Sequence, residues 1–219
     1  MKNCFKIVFF FLVAGLCLGR LKLVWAITPA EFLDRFQERC GKLETIKAEF
    51  IQKTQVITVG PLKNKEKKGI MYLKRPSKMR WDYIIPEDYH IISDGNKIWF
   101  YDKKKKQVMV GKLNTFFDKH LLVSLFLDVK NVTKLFRISL KEEENLIKLV
   151  LSPYPSRLGL RGVTVWITRK DYQITKIQLV DFYGNINTLT FTKIIYNPVL
   201  KDTPFSLQTP PGVELIRLP

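Results

Sequence analysis

From Thr28 onward the apolar positions recur first at a helical period and then, beyond Leu43, at a period of two. Thr28-Pro29-Ala30-Glu31 is a helix start: Thr28 can cap, Pro29 suits the first turn, and Glu31 can close a capping box. Phe32, Phe36, Cys40 and Leu43 then follow at spacings of four, four and three, which puts them on one face of an amphipathic helix. Further on, Ile46, Ala48 and Phe50 alternate with Lys47, Glu49 and Ile51, and Met79, Trp81 and Tyr83 alternate with Arg80 and Asp82. That alternation predicts half-buried strands. Turn signals separate the strands at Gly60-Pro61, Arg75-Pro76-Ser77, Asp94-Gly95-Asn96, Lys103 to Lys106 and Tyr183-Gly184-Asn185, so the strands are expected to form an antiparallel meander.

One stretch breaks this pattern. Between Leu113 and Asp128, Phe117, Leu121, Leu122, Leu125 and Phe126 recur at helical spacings and predict one or two amphipathic helices inside a β chain. Strand patterns resume at Phe136 to Leu140, Leu146 to Leu151, Val163 to Thr168, Ile174 to Val180 and Ile186 to Lys193, and the Pro-rich tail from Pro198 to Pro219 carries a short apolar segment, Val213 to Ile216. With no internal repeat, low-complexity tract or linker, the pattern describes a single domain, mainly β with helices.

The first residues read as a secretory signal: Lys2 and Lys6 supply a positive start, and Ile7 to Leu18 an apolar run too short for a comfortable membrane span. Cleavage is expected after Ala26, giving a signal peptide over 1–26 and a domain over 27–219. Leu16 precedes Cys17, which is a poor match to the small residue that lipid modification requires, so a soluble mature protein is expected, with a retained anchor as the alternative. Losing Cys4 and Cys17 with the signal leaves Cys40 alone, so the fold must rest on packing and not on a disulfide.

The full chain carries a formal charge of +17. Without Lys2, Lys6, Arg20 and Lys22, 33 basic residues face 20 acidic ones. Such a surface favours anionic partners. An exported chain rarely meets nucleic acid, which leaves anionic phospholipid or the acidic face of another protein. Lys63, Lys65, Lys67 and Lys68, like Lys103 to Lys106, are expected in loops, as solvated turns or as a docking patch for such a face.

Catalytic constellations are missing. His90 and His120 have no partners at zinc-site spacing, and Cys40 falls on the apolar helix face, where a buried inert thiol is expected. Neither a Gly-x-Ser-x-Gly elbow nor a phosphate-binding glycine loop occurs, and Glu142 to Glu144 read as a solvated hairpin turn. No enzyme activity, metal or cofactor is expected. What stands out is the supply of large apolar side chains, 15 Phe and 4 Trp.

Gly69-Ile-Met-Tyr-Leu-Lys-Arg-Pro-Ser-Lys-Met-Arg-Trp-Asp-Tyr83, followed by Pro86 and by Ser93-Asp-Gly-Asn-Lys-Ile-Trp-Phe-Tyr-Asp102, resembles the outer-membrane lipoprotein carrier family, LolA. Phe50-x-Gln52 upstream, and Phe205 with Thr209-Pro-Pro-Gly-Val213 downstream, fit the same pattern in the same order. The resemblance covers nearly the whole mature chain. Tyr72 stands where some relatives carry Trp, and Met79 where some carry Phe, both keeping apolar bulk.

The resemblance implies an unclosed antiparallel β-barrel covered by an α-helical lid, with the acyl chains of a lipoprotein held between the two. The lipid-binding surface would comprise Phe32, Phe36, Phe50, Met71, Leu73, Met79, Trp81, Tyr83, Leu122, Leu125 and Phe126. Arg75 would correspond to the family's arginine that bonds to the lid and keeps the empty carrier closed. Strand alternation independently puts Arg75 on the face of Met71 and Leu73, where a guanidinium needs acceptors such as helix-end carbonyls; the competing reading is a surface Arg in a turn. The resemblance further implies a monomeric periplasmic carrier that takes acylated lipoproteins from an inner-membrane ABC release complex and passes them to an outer-membrane acceptor. A lipid- or lipoprotein-sensing protein of the same fold and a membrane-anchored acceptor are the alternatives.

Overall fold

The computed structural model describes residues 28–57, 63–86, 88–115, 117–154 and 159–218. The expected signal segment and the Gly60-Pro61 turn lie outside the described residues. Helix α1 (Pro29–Gly41) begins as its sequence dictates: Thr28 Oγ1 accepts from the Glu31 backbone N–H at 3.2 Å and Pro29 sits in the first turn. The Glu31 carboxylate accepts from Arg35 at 3.0 Å, one turn on. Phe32, Phe36 and Cys40 are buried along one side.

Six strands follow, β1 (Thr45–Val56), β2 (Lys63–Lys74), β3 (Lys78–Ile85), β4 (Tyr89–Ser93), β5 (Lys97–Asp102) and β6 (Gln107–Lys112). After a short 3-10 turn come α2 (Phe117–Leu127) and α3 (Val129–Leu135), then β7 (Phe136–Glu143), β8 (Leu146–Pro153), β9 (Leu160–Thr168), β10 (Ile174–Asp181), β11 (Ile186–Tyr196) and, beyond a second 3-10 turn at Thr203–Phe205, β12 (Glu214–Arg217). Among the described residues these form one 12-stranded sheet, ordered β12-β6-β5-β4-β3-β2-β1-β11-β10-β9-β8-β7. β7 and β12 are its two edges, so the sheet is unclosed.

The register explains why one face becomes the core. Ala48 faces Met71, Met71 faces Trp81, Trp81 faces Ile91, and Ile91 faces Phe100, giving one apolar row across five strands. In the next row Phe50 faces Gly69, which faces Tyr83. A Cβ on Gly69 would stand 2.2 Å from the Asp82 carbonyl oxygen and 2.8 Å from the Phe50 ring, so the glycine lets the ring lie down on the strand. The same face receives α2, whose Phe126 packs edge-on against Phe191 of β11 at 5.2 Å. The opposite face is crossed by the tail. Phe205 is buried there near β3 and β4, Arg80 donates to the Pro204 carbonyl at 3.0 Å, and Lys74 and Lys78 reach Asp202 at 2.8 and 3.0 Å.

The structure departs from the sequence pattern in four places. Lys63, Lys65, Lys67 and Lys68 belong to β2 and not to a loop; Lys67 pairs with Gln52 and lies 5.5 Å over the Tyr83 ring. A strand is held by backbone bonds whatever its side chains, so a lysine-rich run in a long hairpin leaves no apolar signal. Helix α3 has no counterpart in the pattern. Leu121 to Leu127 of α2 are all buried, so the described part of this helix is not amphipathic; α1 and α3 pack on it from other sides. Finally, β12 pairs with β6 in parallel, because the tail first crosses the back of the sheet and so arrives running the same way as β6.

Candidate functional site

Arg75 follows β2 in the turn that leads into β3. Its backbone N–H donates to the Glu44 carbonyl at 2.9 Å, and its side chain points to the helix side of the sheet. Nε donates to the Leu43 carbonyl at 2.6 Å, while Nη2 donates to the Cys40 carbonyl at 2.9 Å and to the Leu127 carbonyl at 2.5 Å. Cys40 lies in the last turn of α1, Leu43 two residues beyond that helix, and Leu127 is the last residue of α2. One guanidinium thus donates to carbonyls at two helix ends, where the negative end of each helix dipole also favours a cation. Glu44 stands 3.9 Å from Nε.

Asn197, which sequence reasoning did not single out, fastens the same corner. Its Oδ1 accepts from the Glu44 N–H at 2.8 Å, its Nδ2 donates to the Lys42 carbonyl at 3.2 Å, and its backbone is left-handed, with φ 53°. An isolated asparagine before proline carries no pattern that would betray this role.

Every apolar residue expected to contact acyl chains is buried in one cluster: Phe32, Phe36, Phe50, Met71, Leu73, Met79, Trp81, Tyr83, Leu122, Leu125 and Phe126 are each at most 6% exposed. They pack mainly against one another. Phe50 meets Trp81 edge-on at 5.0 Å and Tyr83 at 5.3 Å. The sheet face that would hold a guest is occupied by the protein's own helices.

A small cavity interrupts this packing. It measures about 30 Å³ and is bordered by Gln52, Trp81, Tyr83, Leu122, Leu179, Asn187 and Leu189. Tyr83 donates its hydroxyl to Gln52 Oε1 at 2.8 Å, but Trp81 Nε1 and Asn187 Oδ1 are buried without hydrogen-bond partners. Leaving such a group unsatisfied costs about 1–3 kcal/mol. Leu179 and Asn187 also border a second pocket of about 270 Å³, more open to the exterior, with Thr54, Asp181 and Asn185 in its wall. Gln52 lies in a short motif noted above; Asn187 gave no sequence signal, since only the register of β11 on β1 and β10 turns it inward.

The remaining chemistry-bearing residues fall elsewhere. Cys40 is buried, and desolvation pushes its thiol up to about 12. His90 lies on the opposite face of the sheet between two carboxylates, with Nδ1 2.5 Å from Asp82 and Nε2 2.9 Å from Asp88. Burial works to raise the Asp82 carboxyl, but bonds from His90 and Arg80 outweigh it and hold the group below its ordinary range. The side chain of His120 lies outside the described ones. Among the described residues, no three His, Cys, Asp or Glu side chains are grouped to hold a metal, and no helix is long and apolar enough to cross a membrane.

Comparison with known proteins gives this geometry a context. A family model described as outer membrane lipoprotein carrier protein LolA matches residues 41–208. An outer-membrane lipoprotein carrier protein of Pseudomonas paraeruginosa is 27% identical over 185 residues, covering 84% of this chain and 87% of its own. One from Dechloromonas aromatica is 25% identical over 206 residues, covering 94% and 95%. Among solved structures, an uncharacterized conserved protein from Thermus thermophilus shares the fold with a TM-score of 0.56 at 12% identity, over 87% of this chain and 100% of that one.

Proposed function

Because the chain belongs to the LolA family of outer membrane lipoprotein carrier proteins, we propose that it carries lipoproteins, taking their acyl chains between the sheet and helices α1 to α3. In this reading the helices are a lid and Arg75 is its latch. The observation that carries it is the guanidinium bound to the ends of both α1 and α2, above a mainly apolar interior. A pure packing role for Arg75 would not require carbonyls from two separate helices. The side chains from Phe32 to Phe126 named above are the acyl-binding surface, reached when the helices withdraw.

The same reading places residues 27–219 in the periplasm after removal of the signal over 1–26. At ~0.8 kcal/mol per buried CH₂, exposing three fatty chains to water would cost on the order of 30 kcal/mol. Free diffusion of such a cargo between membranes is therefore negligible, and a shielding carrier is needed. Extraction needs an energised donor, for which an inner-membrane ABC release complex is the fitting partner, and delivery needs an outer-membrane acceptor with a stronger hold on the chains. Nothing in this cycle makes or breaks a covalent bond, so the protein is a binding protein and not an enzyme.

Purified protein added to spheroplasts that are synthesising lipoproteins should release them into solution as a stoichiometric complex. If it binds acylated peptide yet releases nothing, the carrier role fails and a sensing role takes its place. The mass of the mature protein checks the anchored alternative: an acylated N-terminus would overturn the soluble reading.

A further inference from the structure

The unpartnered polar atoms in the interior carry a reading beyond shielding of hydrocarbon, one that rests on the carrier function proposed above. Trp81 and Asn187, whose Nε1 donor and Oδ1 acceptor are buried without partners, both line the same small cavity, with Leu122 of α2 in its wall. Asn187 also walls the wider pocket beside β1 and β10, which opens outward. The two spaces share Leu179 and Asn187, so this pair marks a neck between an apolar interior and the exterior.

We infer that this neck is a binding site for the amide that links an acyl chain to the N-terminal cysteine of a lipoprotein. Such a junction divides a guest at the same place: hydrocarbon runs inward beneath α2 and peptide runs outward through the open pocket. A secondary amide offers one acceptor and one donor, the complement of Trp81 Nε1–H and Asn187 Oδ1. An ester offers only acceptors and leaves the asparagine oxygen unmet. A site built to hydrogen-bond an N–H discriminates against an analogue lacking it, because its own buried group is then left unpaired. The protein therefore favours a guest whose N-acyl nitrogen keeps its hydrogen over one in which that nitrogen carries a methyl group.

The test uses the full-length mature protein and two triacylated lipopeptides that differ only in methylation of the N-acyl amide nitrogen. Wild type should bind the N–H form about five- to tenfold more tightly, the factor of one ordinary hydrogen bond. In Asn187→Leu, with an unchanged melting profile, that preference should collapse to unity. Without any variant, the Trp81 indole N–H resonance, identified by its loss in Trp81→Phe, should move downfield when the N–H lipopeptide binds. Equal wild-type affinity for the two lipopeptides, or tight binding with no change at the Trp81 indole, overturns the inference while leaving the carrier function standing. Binding of neither lipopeptide removes both.

Discussion

Replacing Arg75 by Leu tests whether the two helices are held by a polar latch or by packing alone. The variant keeps apolar bulk in the turn and removes donors to the Leu43, Cys40 and Leu127 carbonyls. A hydrogen bond from a charged donor contributes about 1.5–3 kcal/mol. The Arg75 side chain keeps 27% of its surface in water, and the freed carbonyls become hydrated as the helices part, so the net loss should be about 2–4 kcal/mol in all. That converts to a local opening equilibrium raised roughly 30- to 700-fold. Because the lost bonds tie α1 to α2 and not strand to strand, the effect should be confined. Amide hydrogen exchange read by mass spectrometry should show faster exchange in α1 and α2, with β1 to β3 little altered. The folded variant should also load or unload lipoprotein abnormally. Unchanged protection in the helices, protection lost equally across the sheet, or wild-type transfer rates would each refute the latch.

Alkaline stability provides another check. Burial pushes Cys40, Tyr89 and Tyr196 each up to about 12, from ordinary values of 9.0 for the thiol and 10.0 for the phenols. The folded state then keeps protons that the unfolded chain releases, so stability should be intact below about pH 9 and fall as pH rises toward about 12; a melting temperature flat across that window would contradict the burial. In the folded protein Cys40 should react slowly with thiol reagents at pH 8, and faster in Arg75→Leu. Gly69→Ala should lower the urea midpoint by an amount worth about 1–3 kcal/mol, since its methyl meets a backbone carbonyl and the Phe50 ring; a neutral effect would show that the strand beside Gly69 can yield. The lowered carboxyl of Asp82 makes a contribution that is present above its ordinary value of 3.8 and lost as pH falls below it, so Asp82→Asn should be less stable at pH 7 and less acid-sensitive in urea titrations.

How much of this was legible beforehand depends on what each residue contacts. The direction of Arg75 could be read because strand alternation is local: Met71 and Leu73 fix the inward side, and the charge then demands acceptors. The apolar surface was legible for the same reason, since Phe32 and Phe36, or Met79 and Trp81, reveal a face by spacing alone. The carbonyls that Arg75 meets were not, because Leu43 and Leu127 are distant in sequence and offer backbone atoms, which carry no residue signature. The Lys63 to Lys68 half of β2 was hidden by its charge, and α3, a run of Val, Lys, Asn and Thr, by weak helix propensity that tertiary packing overrides. Asn187 and Asn197 owe their positions to strand register and a left-handed turn, both set by the whole sheet.

The buried α2 clarifies how an empty carrier can be both stable and receptive. An open sheet face lined by Met71, Trp81 and Phe50 would be sticky in water, and the protein covers it with Leu121, Leu122, Leu125 and Phe126 of its own chain. Fully withdrawing four such side chains costs roughly 6–12 kcal/mol at about 1.5–3 kcal/mol each. Burying one fatty chain of about sixteen carbons returns about 12 kcal/mol at ~0.8 kcal/mol per CH₂. The helix and a single acyl chain are therefore near-equal competitors for the same face. The two further chains of a triacylated cargo add roughly 24 kcal/mol in favour of loading. For the first chain to enter, a polar contribution of a few kcal/mol is comparable to the apolar difference, so in the proposed cycle Arg75 would help set when the helices part.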